Sequence, residues 1–372
     1  MKILTVLGTR PEAIKMAPVI SVLAADPRFE SKVCVTGQHR GMLDQVIRFF
    51  EINVDFDLNV MKENQSLADT TSAILKGLDD IIKQACPDLI LVHGDTNTTL
   101  SASLAAYYNQ VDIGHVEAGL RTHDLYSPWP EEGNRRITDL LSSKFFAPTE
   151  LAKANLVKEG VEATKITVSG NTVVDALLNA KAHIDNNPAL SKDLQDRYSF
   201  LDKNKRLILV TGHRRENFGK GVQEICSALQ KIAKMDDIQI IYPVHRNPNI
   251  QEPVFAALQS SANIHLIPPL DYPDFVYLMN RSYLILTDSG GIQEEAPSLN
   301  KPVLVMRDVT ERPEGLRAGT LKLVGTNAEK IVENVHTLLR DNGAYSAMAN
   351  ADNPYGDGQA SKRIVDALYN DK

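Results

Sequence analysis

The chain has 372 residues, of which 43% are hydrophobic and 23% charged, and its formal net charge is -7. This composition is ordinary for a soluble globular protein and excludes a disordered chain, a collagen-like repeat and a disulfide scaffold. At about 150 residues per domain, the length predicts two domains. The acidic balance argues against nucleic acid as a partner, and no run approaches the roughly 18 apolar residues that a membrane span needs.

The cysteines give an expectation about the compartment. Cys34, Cys86 and Cys226 are far apart and form no CxxC pair, which favours a reducing environment. The short apolar N-terminus is followed directly by Arg10 and Glu12, unlike a signal peptide. We therefore expect a cytoplasmic protein without a membrane partner.

Short β-branched runs alternate with longer amphipathic runs, a pattern typical of βαβ units and parallel sheets. The first half holds the predicted strands Lys2–Leu7, Lys32–Thr36, Leu89–His93, Asp112–Val116, Lys144–Ala147 and Lys165–Val168. After a predicted polar linker at Asn186–Lys205, the second half holds Arg206–Thr211, Ile238–Pro243, Asn263–Leu266, Tyr283–Thr287 and Pro302–Val305. Predicted helices include Glu12–Ala25, Asn97–Tyr108, Asn217–Lys234 and Ala328–Leu339.

This alternation predicts two doubly wound α/β domains, which we place at residues 1–170 and 171–358. The closing segment, Gln359–Leu368, is predicted to be a helix that either caps the second domain or returns to the first. Doubly wound sheets bind ligands at the carboxyl ends of their strands. We therefore expect the two domains to face each other across a cleft, with the functional residues directly after strands.

The segment Gly8-Thr9-Arg10-Pro11-Glu12 follows the first predicted strand. Gly8 permits a tight turn, Pro11 suits a helix start, and free backbone N–H groups there would attract an anion that Arg10 could also bind. A surface arginine beside a helix cap is an equally good interpretation. The segment is neither a GxGxxG nor a Walker A loop, and Gly219-Lys220-Gly221 lacks the third glycine, so we predict no nicotinamide cofactor.

Carboxylates follow two neighbouring predicted strands, and a further pair lies shortly after them. Asp95 comes after Leu89–His93 and Glu117 after the next strand, so neighbouring parallel strands would bring both side chains to one edge of the sheet. The pair Glu131-Glu132 lies in the following segment, Pro128–Arg136. Carboxylates gathered at a partly dry edge raise one another's pKa, which suits general acids and bases. As the alternative, Asp95 is only the N-cap of the next helix.

Two short patterns resemble metal motifs. His115-Val116-Glu117 is similar to the HxE of zinc deaminases, but the sequence has no PCxxC partner. Asp55-Phe56-Asp57 is similar to a DxD motif, yet it lies in an alternating run, Val54–Val60, that we predict to be a strand edge. We therefore predict no metal site.

Two strands of the second half lead into segments suited to phosphate. Gly212-His213-Arg214-Arg215 would clamp a pyrophosphate, or would form a solvated basic loop. Asp288-Ser289-Gly290-Gly291 has the composition of a backbone nest for phosphate at a helix start, or of a turn that only reverses the chain. Glu295 lies one turn later, where its carboxylate can accept both hydroxyls of a ribose.

These segments together resemble the bacterial non-hydrolysing UDP-N-acetylglucosamine 2-epimerases. The shared motifs, in order, are Gly8–Glu12, His93–Thr96, His115–Arg121, Pro130–Glu132, Gly212–Arg214, Asp288–Gly291, Thr310–Glu314 and Asn353–Gly358. The resemblance implies two Rossmann-like domains of the glycosyltransferase B type, usually in a homodimer, with residues 359–372 returning to the first domain. It also implies reversible conversion of UDP-GlcNAc into UDP-ManNAc for cell-surface polysaccharide, with neither a metal nor a nicotinamide cofactor.

The resemblance further implies roles for individual residues. Asp95, Glu117 and Glu131 would be the catalytic carboxylates, and His213 would act at the UDP pyrophosphate. The other expected contacts to the UDP-sugar come from Arg10, Ser289 and Gly290 (phosphates), Glu295 (ribose), Phe275 (uracil), and Lys15, Arg135 and Arg312 (substrate region). A second, activating UDP-GlcNAc binds some bacterial relatives, and the matching positions are Gln38, Arg214 and His245.

The reaction explains why such residues are needed. The proton on carbon 2 has no neighbouring carbonyl, so its removal alone is too costly. Expulsion of UDP from carbon 1 as that proton leaves gives 2-acetamidoglucal, and re-addition with protonation from the other face gives the epimer.

The alternative functions are a glycosyltransferase of the same fold, a hydrolysing 2-epimerase and a nucleotide-sugar sensor. A transferase or a sensor would not need Asp95, Glu117 and Glu131 together.

Overall fold

A computed structural model of the chain describes residues 1–37, 40–61 and 65–370. The chain divides into two compact units. Unit 1 comprises Met1–Ala176 and the chain from Tyr355 onward, and unit 2 comprises Leu177–Pro354. Among the helices of the described residues, none has the length and apolar content that crossing a membrane requires.

The described part of unit 1 is built on a seven-stranded parallel sheet. Its strands are β1 (Lys2–Leu7), β2 (Glu30–Val35), β3 (Phe56–Asp57), β4 (Leu89–His93), β5 (Asp112–Val116), β6 (Lys144–Ala147) and β7 (Ile166–Val168). They lie in the order β3-β2-β1-β4-β5-β6-β7. The helices between them are α1 (Arg10–Ala25), α2 (Arg40–Phe49), α3 (Leu67–Ala85), α4 (Asn97–Tyr108), α5 (Glu131–Leu141) and α6 (Glu150–Lys158).

Helix α7 (Thr172–Asn186) contains the boundary between the units, and a six-stranded parallel sheet follows in unit 2. Its strands are β8 (Arg206–Thr211), β9 (Ile238–Pro243), β10 (Ile264–Ile267), β11 (Leu284–Thr287), β12 (Val303–Val305) and β13 (Leu321–Leu323), in the order β10-β9-β8-β11-β12-β13. The helices are α8 (Pro188–Arg197), α9 (Lys220–Ile232), α10 (Pro248–Leu258), α11 (Tyr272–Arg281), α12 (Gly290–Glu295), α13 (Pro313–Ala318), α14 (Ala328–Arg340) and α15 (Asn342–Ala349). The last helix, α16 (Ala360–Asn370), packs against α1 in unit 1.

Both sheets are doubly wound, which confirms the predicted fold class. The central strands are buried along their whole length, as Leu89–His93 shows, because helices cover both faces of each sheet. Strand order reverses between β1 and β4 in unit 1 and between β8 and β11 in unit 2. Ligands of such sheets bind at the carboxyl ends of the strands beside this reversal. The segments after these four strands are therefore the candidate functional regions.

The predicted strands are confirmed with small shifts at their ends, but the polar linker at Asn186–Lys205 was wrong. That segment contains the end of α7 and all of α8. The side chain of Asn187 caps α8 by accepting a hydrogen bond from the backbone of Leu190, and Pro188 opens the helix. Polar and proline residues there start a helix.

Three further boundaries differ from the expectation. The run Val54–Val60 pairs with the sheet only at Phe56–Asp57. The helix expected over Asn217–Lys234 begins at Lys220, because Arg215–Asn217 forms a 3-10 turn first. The edge strand β13 was not predicted, since three residues carry no periodicity to detect.

The buried carboxylate of Asp175, on α7, holds the start of α16. It accepts the backbone N–H groups of Ala360 and Ser361 at 3.2 and 2.8 Å and the Ser361 hydroxyl at 2.7 Å. Asp175 therefore satisfies amides at the beginning of the helix that no intrahelical carbonyl reaches.

We predict that Asp175→Ala lowers the free energy of unfolding of unit 1 by about 1–3 kcal/mol, because two buried amides lose a charged acceptor. Urea and thermal unfolding would measure the loss. Asp185→Ala on the same helix is the control, since its exposed carboxylate forms a surface pair with Lys181 that contributes about 0.5 kcal/mol or less. Equal losses in the two variants would contradict this role for Asp175.

Candidate active site

A buried carboxylate closes the turn between β1 and α1. Glu12 Oε2 accepts the backbone N–H groups of Gly8 and Thr9 at 2.9 and 2.7 Å, and burial raises its pKa. Its other oxygen accepts the hydroxyls of Thr96 and Thr99 at 2.6 and 3.2 Å. The expectation that Gly8 and Thr9 offer free N–H groups to an anion was therefore wrong. Glu12 instead ties this turn to the one that follows β4.

Asp95 and Glu117 lie at the same edge of the unit 1 sheet, as predicted. Their strands are neighbours, with His93 opposite Val116 in the register. Glu117 directly follows β5, and Asp95 lies two residues after β4. Adjacent parallel strands thus bring the two carboxylate-bearing turns side by side.

Asp95 is not a helix cap. Thr96 caps α4, with its side chain accepting the N–H of Thr99. The Asp95 carboxylate forms an ion pair with Arg135 of α5, and its backbone carbonyl accepts a hydrogen bond from the Asn134 side chain at 2.9 Å. Of the two alternatives predicted for Asp95, the N-cap is therefore excluded.

Glu117 is held by several polar neighbours at one oxygen. Its Oε2 accepts Lys15 Nζ at 2.5 Å and Asn171 Nδ2 at 3.0 Å, and its side chain is only 9% exposed. The φ of Glu117 is +66°, in the left-handed region that non-glycine residues seldom adopt. Asp95 and Glu117 thus each lie beside a cation, Arg135 and Lys15 respectively. In the structure, Lys15 forms an ion pair with Glu117.

His93 is a feature of this edge to which sequence reasoning gave no role. Its ring is buried, and Nε2 lies 3.7 Å from Glu117 Oε2 without a hydrogen-bond partner within the described residues. Burial lowers the pKa of His93 to about 4, although the nearby charge of Glu117 acts to raise that pKa. The ring is therefore neutral near pH 7. His93 ends a buried strand, so its position at the edge was visible in the sequence, whereas its burial was not.

Helix α5 begins with Glu131, the third predicted carboxylate. Glu131 Oε2 is buried and has no hydrogen-bond partner in the part of the chain that the structure describes. The next residue, Glu132, accepts the backbone N–H groups of Thr122 and His123 at 3.1 and 3.2 Å and also pairs with Arg135. The start of α5 is thus fixed to the loop that precedes it.

In unit 2, the buried carboxylate of Asp288 folds the loop after β8 onto the end of β11. Its Oδ2 accepts the backbone N–H groups of His213 and Arg214, each at 2.9 Å, and the side-chain amide of Asn217 at 3.2 Å. The strands that carry these loops are neighbours in the sheet. Sequence reasoning placed Asp288 in a phosphate nest and did not anticipate that it organises the His213 loop.

His213 remains accessible at this edge. Its side chain is 42% exposed, and Nδ1 lies 3.4 Å from Asp288 Oδ1. Burial of part of the ring lowers the pKa of His213, while the Asp288 charge acts in the opposite direction. The ring also stacks on His245, with centroids 5.8 Å apart. Two positions expected in a second nucleotide-sugar site, Arg214 and His245, therefore adjoin His213, and the third, Gln38, lies outside the described residues.

Two guanidinium groups lie near the first residue of α12. A Cβ built on Gly290 would lie 3.7 Å from Arg214 Nη2 and 3.9 Å from Arg312 Nη2. Arg312 Nε donates to the buried Glu294 at 2.5 Å, and Arg214 Nε is buried without a hydrogen-bond partner among the described residues. Ser289 precedes the helix and makes no side-chain capping bond. The absence of a side chain at Gly290 thus leaves space beside two cations.

Glu295, the last residue of α12, is buried near α11. The Tyr272 hydroxyl lies 3.4 Å from Glu295 Oε1, and Phe275 follows three residues later on the same helix, half-buried. Sequence reasoning missed Tyr272. Within the described residues, no three His, Cys, Asp or Glu side chains are grouped so as to hold a metal ion.

We predict that the free energy of unfolding of unit 1 falls as the pH drops from about 6.5 to about 4, by at most about 1.4 kcal/mol per pH unit from His93. The sign follows because the unfolded chain binds a proton in this window that the buried ring does not. Urea unfolding at several pH values would show a flatter dependence for His93→Gln. His183→Gln, at an exposed position, is the control, and a slope unchanged by His93→Gln would refute the assignment.

The whole chain is similar to UDP-N-acetylglucosamine 2-epimerases, and the family model with that description matches residues 21–369. The enzyme of that name from Yersinia pestis is 60% identical over 371 residues, which cover 100% of this chain and 99% of the relative. The one from Escherichia coli (strain K12) is 58% identical over 373 residues, with the same coverage. The crystal structure of UDP-GlcNAc 2-epimerase from Neisseria meningitidis bound to UDP-GlcNAc is 52% identical, with a TM-score of 0.91 over 100% of both chains. The chain therefore belongs to the UDP-N-acetylglucosamine 2-epimerase family.

Proposed function

We propose that this protein interconverts UDP-GlcNAc and UDP-ManNAc by inverting carbon 2, without releasing free ManNAc. The observation that carries the proposal is the pair of carboxylates at one sheet edge, Asp95 with Arg135 and Glu117 with Lys15, in a member of this family. The neisserial relative was solved with UDP-GlcNAc bound. We further propose that the product supplies ManNAc for cell-surface polysaccharide.

We assign proton transfer at carbon 2 to Asp95, Glu117 and Glu131. Inversion requires that a proton leave one face of carbon 2 and that another arrive at the opposite face, so more than one acid–base group is needed. Asp95 and Glu117 lie at the same edge of the sheet, each beside a cation, which supports giving both a role in proton transfer. Glu131, with a buried oxygen that has no partner in the described chain, is placed to meet a group brought by the substrate.

We assign stabilisation of the UDP leaving group to cations and hydrogen-bond donors, mainly those of unit 2. Expulsion of UDP from carbon 1 develops negative charge on the β-phosphate, and preorganised donors stabilise such charge. The proposed phosphate ligands are His213, Arg214, Ser289, Gly290, Arg312 and, from unit 1, Arg10. Glu295 would accept the ribose hydroxyls and Phe275 would contact the uracil. Lys15 and Arg135, predicted to bind substrate, would act by holding Glu117 and Asp95.

The test of this function is proton NMR of the protein with UDP-GlcNAc in deuterated water, without added metal or NAD. Elimination and re-addition predict UDP-ManNAc with deuterium at carbon 2, because the original proton exchanges with solvent. Free ManNAc with UDP would indicate the hydrolysing reaction. An unchanged sugar despite binding would favour a transferase or a sensor and would contradict the proposal.

The same assay with the Glu117→Gln variant measures how much the Glu117 carboxylate contributes to exchange at carbon 2. Loss of its charge should slow exchange at carbon 2 by about 10²- to 10⁴-fold, the usual contribution of a general acid or base. Glu252→Gln, at an exposed position on α10, is the matched control and should leave the rate unchanged. Equal rates in the two variants would exclude Glu117 from the chemistry.

We predict that Gly290→Ala weakens UDP binding by about 10-fold or more, because a methyl group would occupy the space beside Arg214 and Arg312 that the phosphates need. Isothermal titration calorimetry with UDP measures the change. Gly291→Ala is the adjacent control, since a Cβ there meets no atom within 4 Å in the described structure. The phosphate assignment fails if both variants bind UDP equally well.

A homodimer is the assembly we propose. Apolar side chains around α5 are exposed, among them Tyr126 (81%), Trp129 (62%) and Leu140 (82%), and they line a groove of about 960 Å³. Large exposed apolar patches mark protein–protein interfaces.

We also propose a cytoplasmic location, supported by free thiols at Cys34, Cys86 and Cys226, which suit a reducing compartment.

A further inference from the structure

A buried network lies beneath the two carboxylate-bearing turns of unit 1, and the proposed chemistry does not use it. Asp139, on α5, lies 2.6 Å from His115 Nδ1, and it accepts Arg121 Nη2 at 2.7 Å and the backbone N–H of Gly119 at 3.3 Å. His115 Nε2 lies 2.8 Å from the carbonyl oxygen of Gly94. The side chains of His115 and Arg121 are fully buried.

Both ring nitrogens of His115 face groups that accept hydrogen bonds. The Gly94 carbonyl can only accept. Burial acts to raise the pKa of Asp139, but the charges and hydrogen bonds of His115 and Arg121 outweigh it and lower that pKa. The His115 ring therefore bridges the Gly94 carbonyl, through Nε2, and the Asp139 carboxylate, at Nδ1. Arg121 also pairs with Glu159 at 2.7 Å, so its guanidinium lies between two carboxylates.

We propose that the His115–Asp139–Arg121 triad is a positioning device that sets the separation of Asp95 and Glu117. This inference rests on the proposed function, since it concerns carboxylates that transfer protons at carbon 2. The triad contacts the backbone of Gly94 and of Gly119, which lie next to these carboxylates in the chain. It holds the backbone of the turn that carries each one, and its residues are positioning residues.

The two turns need such support. Gly94, with φ +68°, immediately precedes Asp95, and its carbonyl is held by His115. Gly119, with φ +85°, follows Glu117 by two residues, and its amide is held by Asp139. Glu117 itself has a positive φ, which persists only where the surroundings enforce it. A single buried cluster of charged side chains therefore contacts the backbone of both turns.

His115 offers a matched pair of variants. In His115→Gln the amide nitrogen takes the place of Nε2 and keeps the donor to Gly94, whereas in His115→Asn it takes the place of Nδ1 and keeps only the contact with Asp139. Each variant loses one of the two hydrogen bonds of the ring. We expect His115→Asn to lower kcat by about 100-fold, the cost of misplacing a catalytic group by about 1 Å, with KM and UDP affinity nearly unchanged. His115→Gln should retain most of kcat.

The readouts are kcat and KM for UDP-GlcNAc, UDP affinity and thermal unfolding of both variants. Asp139→Asn is the second test and should lower kcat at least as much as His115→Asn, because it weakens the hold on both turns. Nitrogen NMR of labelled histidine in the wild type should show a proton on His115 Nε2, donated to the Gly94 carbonyl, and a bare Nε2 would overturn that contact.

Other outcomes separate the two proposals. Equal losses of kcat in His115→Gln and His115→Asn that follow their loss of thermal stability would reduce the triad to a structural role. An unchanged kcat in His115→Asn would overturn the positioning proposal outright. Absence of exchange at carbon 2 in the wild type would instead refute the proposed function.

Discussion

Ion pairs made by α5 fix the carboxyl edge of the unit 1 sheet. Arg135 holds the carboxylate of Asp95, and Asp139 binds the side chains of His115 and Arg121. The contacts of Asp139 are buried, and removing one member of a buried ion pair costs about 3–5 kcal/mol. The helix that begins with Glu131 is thereby tied to the turns that present the other two carboxylates. The geometry of the proposed chemistry therefore depends on a few charges that cannot rearrange cheaply.

Unit 2 uses a similar device for a different purpose. Asp288 gathers the backbone amides of His213 and Arg214 much as Asp139 gathers donors in unit 1. The groups left at the edge differ, since they are a partly exposed imidazole and guanidinium groups beside Gly290. Such groups suit the developing charge of a leaving nucleotide, whereas paired carboxylates suit proton transfer.

Local sequence patterns predict much of the fold and part of the candidate site. The rest depends on contacts between residues that are far apart in the chain. Continuous apolar runs such as Leu89–His93 identified the buried strands, and strand adjacency brought Asp95 and Glu117 together. The capping of Gly8 and Thr9 by Glu12 also had a local signal, because Thr9-Arg10-Pro11-Glu12 has the spacing of a capping box. Lys15 and Glu117, by contrast, are 102 residues apart, and no periodicity indicates that they pair. The burial of His93 and the network around Asp139 likewise depend on tertiary packing.

Elimination makes a direct prediction about the bond between carbon 1 and oxygen. In UDP-GlcNAc labelled with ¹⁸O at the oxygen that joins carbon 1 to the β-phosphorus, cleavage would make this oxygen equivalent to the other terminal oxygens of the β-phosphate. Phosphorus NMR of the recovered UDP-GlcNAc and UDP-ManNAc should then show ¹⁸O in non-bridging positions. Epimerised product that retains the whole label in the bridging position would contradict elimination of UDP.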